Sequence, residues 1–366
     1  MHILYIANIR LPTEKAHGIQ IMKTCEAFSD IGYSVTLAIP RRLNTIKEDP
    51  FTYYGVKRSF TIKRFPTVDI FSSSKIGYIV QLLIFSEFVS WYALFAKADI
   101  IYSRNELPLY YLSFVKGDLL YEAHTGSYNF LARRILRKAK KVITISQGLK
   151  DFYVRKGIPE EKIIVAHDAI DPEAFKVRYD KKAVRKELGI PEDKKTVMYI
   201  GRLDMWKGVK TLLDASLRLP NDIQVVIIGG ETSQITTFAE EYPNVIFLGY
   251  RPYTELSKNQ QAADILVLPN TGKDVISTLY TSPLKLFAYM ASCVPIIASD
   301  LPSTREILSE ENSILVPPDN VEMLANSIED IFSNTDKAKQ IATQAREDVT
   351  IHTWKKRAAS IIRNIQ

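Results

Sequence analysis

Short apolar runs alternate with longer stretches of mixed polarity along most of the chain. The runs His2–Ala7, Ser34–Ile39, Ile100–Tyr102, Leu119–Tyr121 and Val142–Ile145 have the length and near-continuous hydrophobicity of buried parallel strands. Helical stretches lie between them, including Ile19–Ile31 and Pro108–Val115. The pattern restarts after residue 190. Val197–Ile200, Gln224–Ile228, Val245–Leu248, Ile265–Leu268 and Ile296–Ala298 read as strands, and Gly208–Leu217 and Tyr253–Ala262 as helices. Two successive βα series predict an α/β protein of two doubly wound domains. Ligands of such sheets bind beyond the carboxyl ends of the strands, so the expected site is a cleft between the two domains. The charged, Pro-containing stretch Asp171–Lys195 reads as a linker with a lead-in helix, and Thr353–Gln366 as a final amphipathic helix.

Composition narrows the field. The chain has 366 residues, 46% of them hydrophobic and 24% charged, which excludes disorder, collagen and coiled coil as the whole-chain answer. Residues 1–172 hold 24 basic and 16 acidic side chains, a net +8, whereas the rest hold 24 and 25, a net −1. A basic half beside a near-neutral one points to an anionic partner. Cys25 and Cys293 form no CxxC or His/Cys cluster, which argues against structural zinc and gives no sign of an oxidising compartment. The opening MHILYIANIR reads as a first strand and not as a signal peptide. Ile76–Ala96 approaches the length of a membrane span, but Gln81, Ser86, Glu87 and Ser90 interrupt it, so a buried or membrane-contacting helix is expected. Leu131–Lys141 carries six cations in eleven residues, a basic amphipathic pattern. The nearby aromatics Phe85, Phe88, Trp91 and Tyr92 favour a membrane surface over nucleic acid, for which no motif is present.

Candidate chemistry gathers at predicted strand ends. In TSPLKLFAYMASCVPIIASD (281–300), Ser282 is a good N-cap and Pro283 a preferred first helical residue, so the loop Asn270–Thr281 leads to a helix N-terminus that suits an anion. Simple capping explains the same residues. Lys273 and Thr281 add donors. In YIGRLDMWKGVK (199–210), Arg202 and Lys207 follow a strand that ends at Gly201, and two such cations can clamp a diphosphate or form a solvated pair. VVIIGGE (225–231) allows close backbone approach at Gly229, yet is no GxGxxG motif. Gly18 in KAHGIQI opens a helix and faces either a phosphate or nothing but a tight turn. His124 in YEAHTGS lies past a strand end, and His167 and Asp168 past another beside the linker.

Together these segments resemble glycosyltransferase family 4. The resemblance rests on YIGRLDMWKG, VVIIGG, FLGY, ADILVLPN and SPLKLFAYMASCVPIIASDLPSTREIL, with looser matches at HGIQ, YEAHT, ITISQGLK and AHDAIDPEAF. It implies a GT-B fold of two Rossmann-like domains facing each other across a cleft. The amino-terminal, acceptor-binding domain is expected at 1–172, with helix 351–366 crossing back onto it. The donor-binding domain is expected at 173–350. The implied activity is retaining and metal-independent, with no cofactor beyond a UDP- or GDP-sugar donor. By resemblance Arg202 and Lys207 form the diphosphate clamp, joined by backbone amides at Leu284 and Lys285 in the Thr281–Ser282–Pro283 turn. The segment at Tyr250 and Arg251 holds the base, Gly18 packs against the phosphates, and His124 approaches the reacting sugar. Of two family glutamates, Tyr280 stands in place of the first. Ala288 stands in place of the second, which holds the ribose hydroxyls. Losing that charged acceptor costs about 1.5–3 kcal/mol, roughly tenfold to a hundredfold in binding, so a weakened enzyme is expected. Cys293, where glycine is common, is expected to matter little.

The leading expectation is therefore a cytoplasmic glycosyltransferase of cell-surface glycan or glycolipid synthesis, peripheral to the inner face of an anionic membrane and acting on a glycan or lipid-linked acceptor. An inactive nucleotide-sugar or glycan-binding subunit is the alternative that Ala288 supports. A nucleotide-sugar epimerase would need acid–base carboxylates in the cleft. Nucleic-acid binding is not expected.

Overall fold

The computed structural model describes residues 1–69 and 74–365. The chain forms two compact units, 1–167 with 354–366, and 168–353. The expected boundary at 172/173 thus moves to 167/168. Residues 168–172 belong to the second unit because Asp168 N–H donates to Ser282 Oγ at 2.9 Å and Ile170 N–H to His352 O at 3.0 Å. The final helix runs Trp354–Arg363 and is part of the first unit; it is shorter than the expected 351–366, and Gln366 lies outside the described residues.

The first unit is built on a seven-stranded parallel sheet: β1 (His2–Ile6), β2 (Ser34–Pro40), β3 (Thr61–Phe65), β4 (Ile100–Ser103), β5 (Leu119–Ala123), β6 (Lys141–Thr144) and β7 (Ile163–Val165). Their spatial order is β3-β2-β1-β4-β5-β6-β7. Strands β4 and β5 are buried at every position, as apolar runs covered by helices on both faces must be. The second unit holds β8 (Lys195–Ile200), β9 (Ile223–Ile228), β10 (Val245–Phe247), β11 (Ile265–Leu268), β12 (Ile296–Ser299) and β13 (Ile314–Val316). Their order, β10-β9-β8-β11-β12-β13, is that of a dinucleotide-binding sheet. Side chains alternate between its two cores, Val197 and Tyr199 on one face and Met198 on the other.

Two expected elements differ. Tyr253–Ala262 breaks into 3₁₀, α and 3₁₀ turns. The Asn270–Thr281 loop contains a short helix, Val275–Leu279, nucleated by the Asp274 carboxylate on the Ile276 and Ser277 amides.

The apolar stretch of the first unit forms helix Lys75–Phe95, the one helix among the described residues long and apolar enough to cross a membrane. It is apolar on both sides, with Phe85, Val89 and Ala93 buried. Gln81, Ser86 and Ser90 face inward, whereas Ile76, Ile79, Leu83, Phe88, Trp91 and Phe95 are exposed. The basic stretch beside it in sequence is helix Phe130–Lys138, with Ile135 and Leu136 buried.

Candidate functional site

In the first unit the strand ends of β4 and β5, the first turns of helix Ala16–Asp30 and the C-terminal helix supply one polar cluster. Its centre is Glu122, fully buried on β5. The Glu122 Oε1 atom accepts from Gln20 Nε2 at 2.6 Å, lies 2.6 Å from His124 Nε2 and is 3.3 Å from Arg357 Nη2. The Tyr102 hydroxyl donates to Oε2. Arg104 closes the group by donating to Gln20 Oε1 at 3.1 Å, and Arg357 Nε donates to His167 O at 2.9 Å. Burial pushes the Glu122 carboxyl up, but the Arg357 charge and the bonds from His124 and Tyr102 outweigh it and hold the group well below the usual carboxylate range. Burial first, then the Arg104 charge, pushes His124 down to about 4, against the pull of Glu122. At neutral pH the ring is therefore uncharged. Because ionised Glu122 is purely an acceptor, the ring proton sits on Nε2 and the Nδ1 lone pair is left to accept. His167 Nδ1 lies 3.1 Å from Ile145 O, a backbone anchor.

Gly18 lies in the first turn of helix Ala16–Asp30, two residues before Gln20. It is buried, and a Cβ there would collide with the Tyr54 hydroxyl, which bonds both backbone groups of Thr13. That packing alone requires glycine.

In the second unit, β8 ends at Ile200, with Gly201, Arg202, Asp204 and Lys207 following it. Tyr199 Oη donates to Arg202 O at 2.7 Å and fixes the turn. Arg202 is half-exposed and pairs with Asp204 at 2.9 Å. Burial, with the Arg202 charge acting in the same sense against Asp204, pushes Lys207 down to about 8. The helix expected after Pro283 is present as Leu284–Ser292, but its cap differs. Pro283 is the N-cap residue, whose hydrocarbon ring can make no side-chain cap bond, and the Ser282 hydroxyl accepts from Asp168 N–H instead. The Lys285 side chain from this helix reaches Gly201, where a Cβ would collide with its Nζ. Tyr289, one turn on, accepts from Ile200 N–H at 2.8 Å and docks the helix on the end of β8.

The structure thus brings Gly201, Arg202, Lys207 and Lys285 together. Gly229 ends β9, and its N–H donates to Gly249 O at 2.7 Å, so Tyr250 and Arg251 follow on the neighbouring strand end, both exposed. Thr281 and Ser282 are buried. Lys273 is exposed, in a loop anchored by Asp319 on Thr271 and Gly272. Ala288 has no exposed surface and belongs to the sheet-facing core, and its carbonyl accepts from Gln260 Nε2 at 2.8 Å. Among the described residues no group of three or more His, Cys, Asp or Glu side chains is placed to hold a metal ion. A groove of about 570 Å³ elsewhere on this unit is lined by Lys181, Arg185 and Asp264, whose charges are paired with one another.

Gln20, Arg104 and Arg357 were not singled out by the sequence. The available signal was Glu122 itself, a carboxylate inside an apolar strand, which demands a buried partner.

Comparison with known proteins adds to this picture. Residues 180–348 match the family model described as Glycosyl transferases group 1, and residues 18–174 that of Glycosyltransferase Family 4. An uncharacterized glycosyltransferase of Methanocaldococcus jannaschii is 25% identical over 57% of this chain and 55% of its own length. A D-inositol 3-phosphate glycosyltransferase of Corynebacterium diphtheriae is 28% identical over 46% of this chain and 42% of its own. The chain spans about half the length of these curated relatives. Among solved structures, Anabaena HepE in complex with UDP-glucose superposes with a TM-score of 0.78 at 18% identity, covering 99% of both chains. Sucrose-phosphate synthase from Thermosynechococcus elongatus gives 0.78 at 20%, covering 99% of this chain and 97% of that one. These likenesses establish the fold.

Proposed function

The chain belongs to glycosyltransferase family 4 and has the GT-B fold, and from this premise we propose that it transfers a sugar from a UDP- or GDP-sugar to an acceptor hydroxyl. The observation that carries the reading is the group of basic side chains, Arg202, Lys207 and Lys285, around Gly201 at the carboxyl end of β8. Arg202 and Lys207 stabilise the charge that develops on the departing diphosphate, the electrostatic work a metal does elsewhere, so the reaction is metal-independent. Tyr250 and Arg251 flank the base. Its complex with UDP-glucose makes HepE a fitting precedent for the donor class.

A ring that protonates only near 4 is a weak base at neutral pH. His124 therefore accepts a hydrogen bond from a sugar hydroxyl through Nδ1 and orients the sugar. The acceptor oxygen bonds to the anomeric carbon as the bond to the β-phosphate oxygen breaks, and the acceptor's proton passes to that phosphate on the same face, which gives retention. Ala288 leaves the ribose hydroxyls without their carboxylate, and donor binding is weak.

The acceptor is a lipid-linked glycan at the cytoplasmic face of a membrane. Helix Lys75–Phe95 exposes Ile76, Ile79, Leu83, Phe88, Trp91 and Phe95, and helix Phe130–Lys138 carries Arg133, Arg134, Arg137 and Lys138, a combination suited to anionic lipid. Sedimentation with vesicles of phosphatidylglycerol should carry the protein down, and Phe88→Ser with Trp91→Ser should release it. Equal binding to phosphatidylcholine contradicts the electrostatic part.

Ala288 supports a second reading, a binding subunit without turnover. Nucleotide release from a panel of UDP- and GDP-sugars, with EDTA and with soluble or lipid-linked acceptors, separates the two. Turnover lost in Arg202→Ala or Lys207→Ala supports the enzyme. Donor binding with neither transfer nor hydrolysis, even in Ala288→Glu, supports the subunit.

A further inference from the structure

Lys285 stands apart from the other cations of the second unit. Its Nζ is buried and, among the described residues, has no hydrogen-bond acceptor. An ammonium carries three donors, and leaving them unmet in a dry site is costly unless something completes them. The neighbours of Nζ identify what fits. The ring of Tyr199 lies below it, 3.8 Å from the centroid. The backbone of Gly201 lies beside it, so close that no side chain is tolerated there. The charged groups around it are Lys207 and Asp204 from the turn after β8, with Arg202 next to Lys207. Its own nine-residue helix begins at Leu284 with no side-chain cap, and the first amides of a helix lack intrahelical acceptors. Cations, open amides and an unmet buried donor set all call for a polyanion.

We propose that the Lys285 side chain is itself a diphosphate ligand, a third cation that completes its hydrogen bonds only when the anion is bound. This rests on the donor-site reading above and extends it from the helix backbone to the side chain. A coupled proton follows. In the free protein burial first, then the charge of Lys207, pushes Lys285 well below the ordinary lysine range, with Asp204 opposing. An arriving diphosphate reverses that balance, so binding raises the proton affinity of Lys285. Removing the amine should also relieve the free protein of a buried, unmet group.

The test is calorimetric titration of the full chain and of Lys285→Met at pH 7.0 with UDP, GDP, ADP and inorganic pyrophosphate, in buffers of different ionisation enthalpy. For the wild type the heat should depend on the buffer, and the comparison with the variant isolates the proton that Lys285 takes up. Lys285→Met should take up fewer protons than the wild type with each probe, and its affinity for pyrophosphate and the preferred nucleotide should fall by tenfold or more. The melting temperature of the free variant should rise, by about 2–4 °C for each kcal/mol relieved in a unit of this size. Proton linkage to pyrophosphate binding that is the same in both proteins, or an affinity that Lys285→Met does not change, overturns the proposal while leaving the donor site intact. Pyrophosphate binding with uptake that the variant reduces, but no nucleotide binding, keeps Lys285 and overturns the donor-site reading. No binding of any probe overturns both. A lower melting temperature with unchanged affinity makes Lys285 structural, and Lys285→Gln repeats the comparison should the methionine variant fail to fold.

Discussion

Replacing His124 by Asn should make the first unit less sensitive to acid. The asparagine amide is neutral at every pH, so the cluster loses its titrating group, while Gln20, Tyr102 and Arg357 still hold Glu122. In the unfolded chain the imidazole takes a proton near 6.5, in the folded chain near 4. Between these values the unfolded state binds a proton that the folded state refuses, so stability rises with pH and is lost as pH falls from 6.5 toward 4. A separation of 2.5 units is worth about 3 kcal/mol in full and about 2 kcal/mol by pH 5. Stopping at pH 5 avoids the lower window, below the ordinary Glu value of 4.5, in which protonation of Glu122 removes its own contribution. Urea unfolding followed by fluorescence in a Trp206→Phe background reports this unit alone, through Trp91 and Trp354. The wild type should lose about 2 kcal/mol more than His124→Asn between pH 7.5 and pH 5. Equal losses would refute the reasoning, because they require the folded ring to titrate where the unfolded one does, and a smaller loss in the wild type would mean an imidazolium already paired with Glu122.

The same cluster predicts that Arg357→Met destabilises the first unit by about 3 kcal/mol in denaturant titrations. It leaves the fully buried Glu122 without its cation, and the bonds from Gln20, Tyr102 and His124 keep the loss at the low end of the range for broken buried pairs. Cys293 holds a left-handed backbone, φ +62°, at the C-cap of helix Leu284–Ser292. Cys293→Gly should raise the melting temperature of the second unit, by about 1 kcal/mol in stability terms, and an unchanged value would contradict this. That strain corrects the expectation that Cys293 matters little. Above pH 8 Lys207 loses its proton in the free protein, so nucleotide affinity should fall with rising pH, while a flat profile from pH 7 to 9 would contradict its role as a phosphate ligand.

The legible parts of the fold are those whose signal is local. Apolar runs such as Leu119–Tyr121 and Ile265–Leu268 announce buried strands because nothing else accommodates them. Strand β3, TIKRF, escaped because it lies at the sheet edge and keeps Lys63 and Arg64 in solvent. Strand β13, ILV, is three residues long and too short to show a period. The glycine, arginine and lysine after β8 were visible as a cluster within ten residues. The Glu122 cluster was not, because Gln20 and Arg357 lie far away in sequence and reach it only through the sheet and the last helix. Ser282 read as a cap on local grounds, and Asp168 N–H claims its hydroxyl instead.

The central claim is that the second unit holds a nucleoside diphosphate, and titration of the chain and of its Ala288→Glu variant with UDP, GDP and ADP tests it most directly. The account predicts that one nucleotide binds, and binds roughly tenfold or more tightly once the carboxylate is restored. Position 288 has no exposed surface, so the variant's melting temperature is measured alongside. Failure of all three nucleotides to bind a folded wild type and a folded variant would contradict the claim.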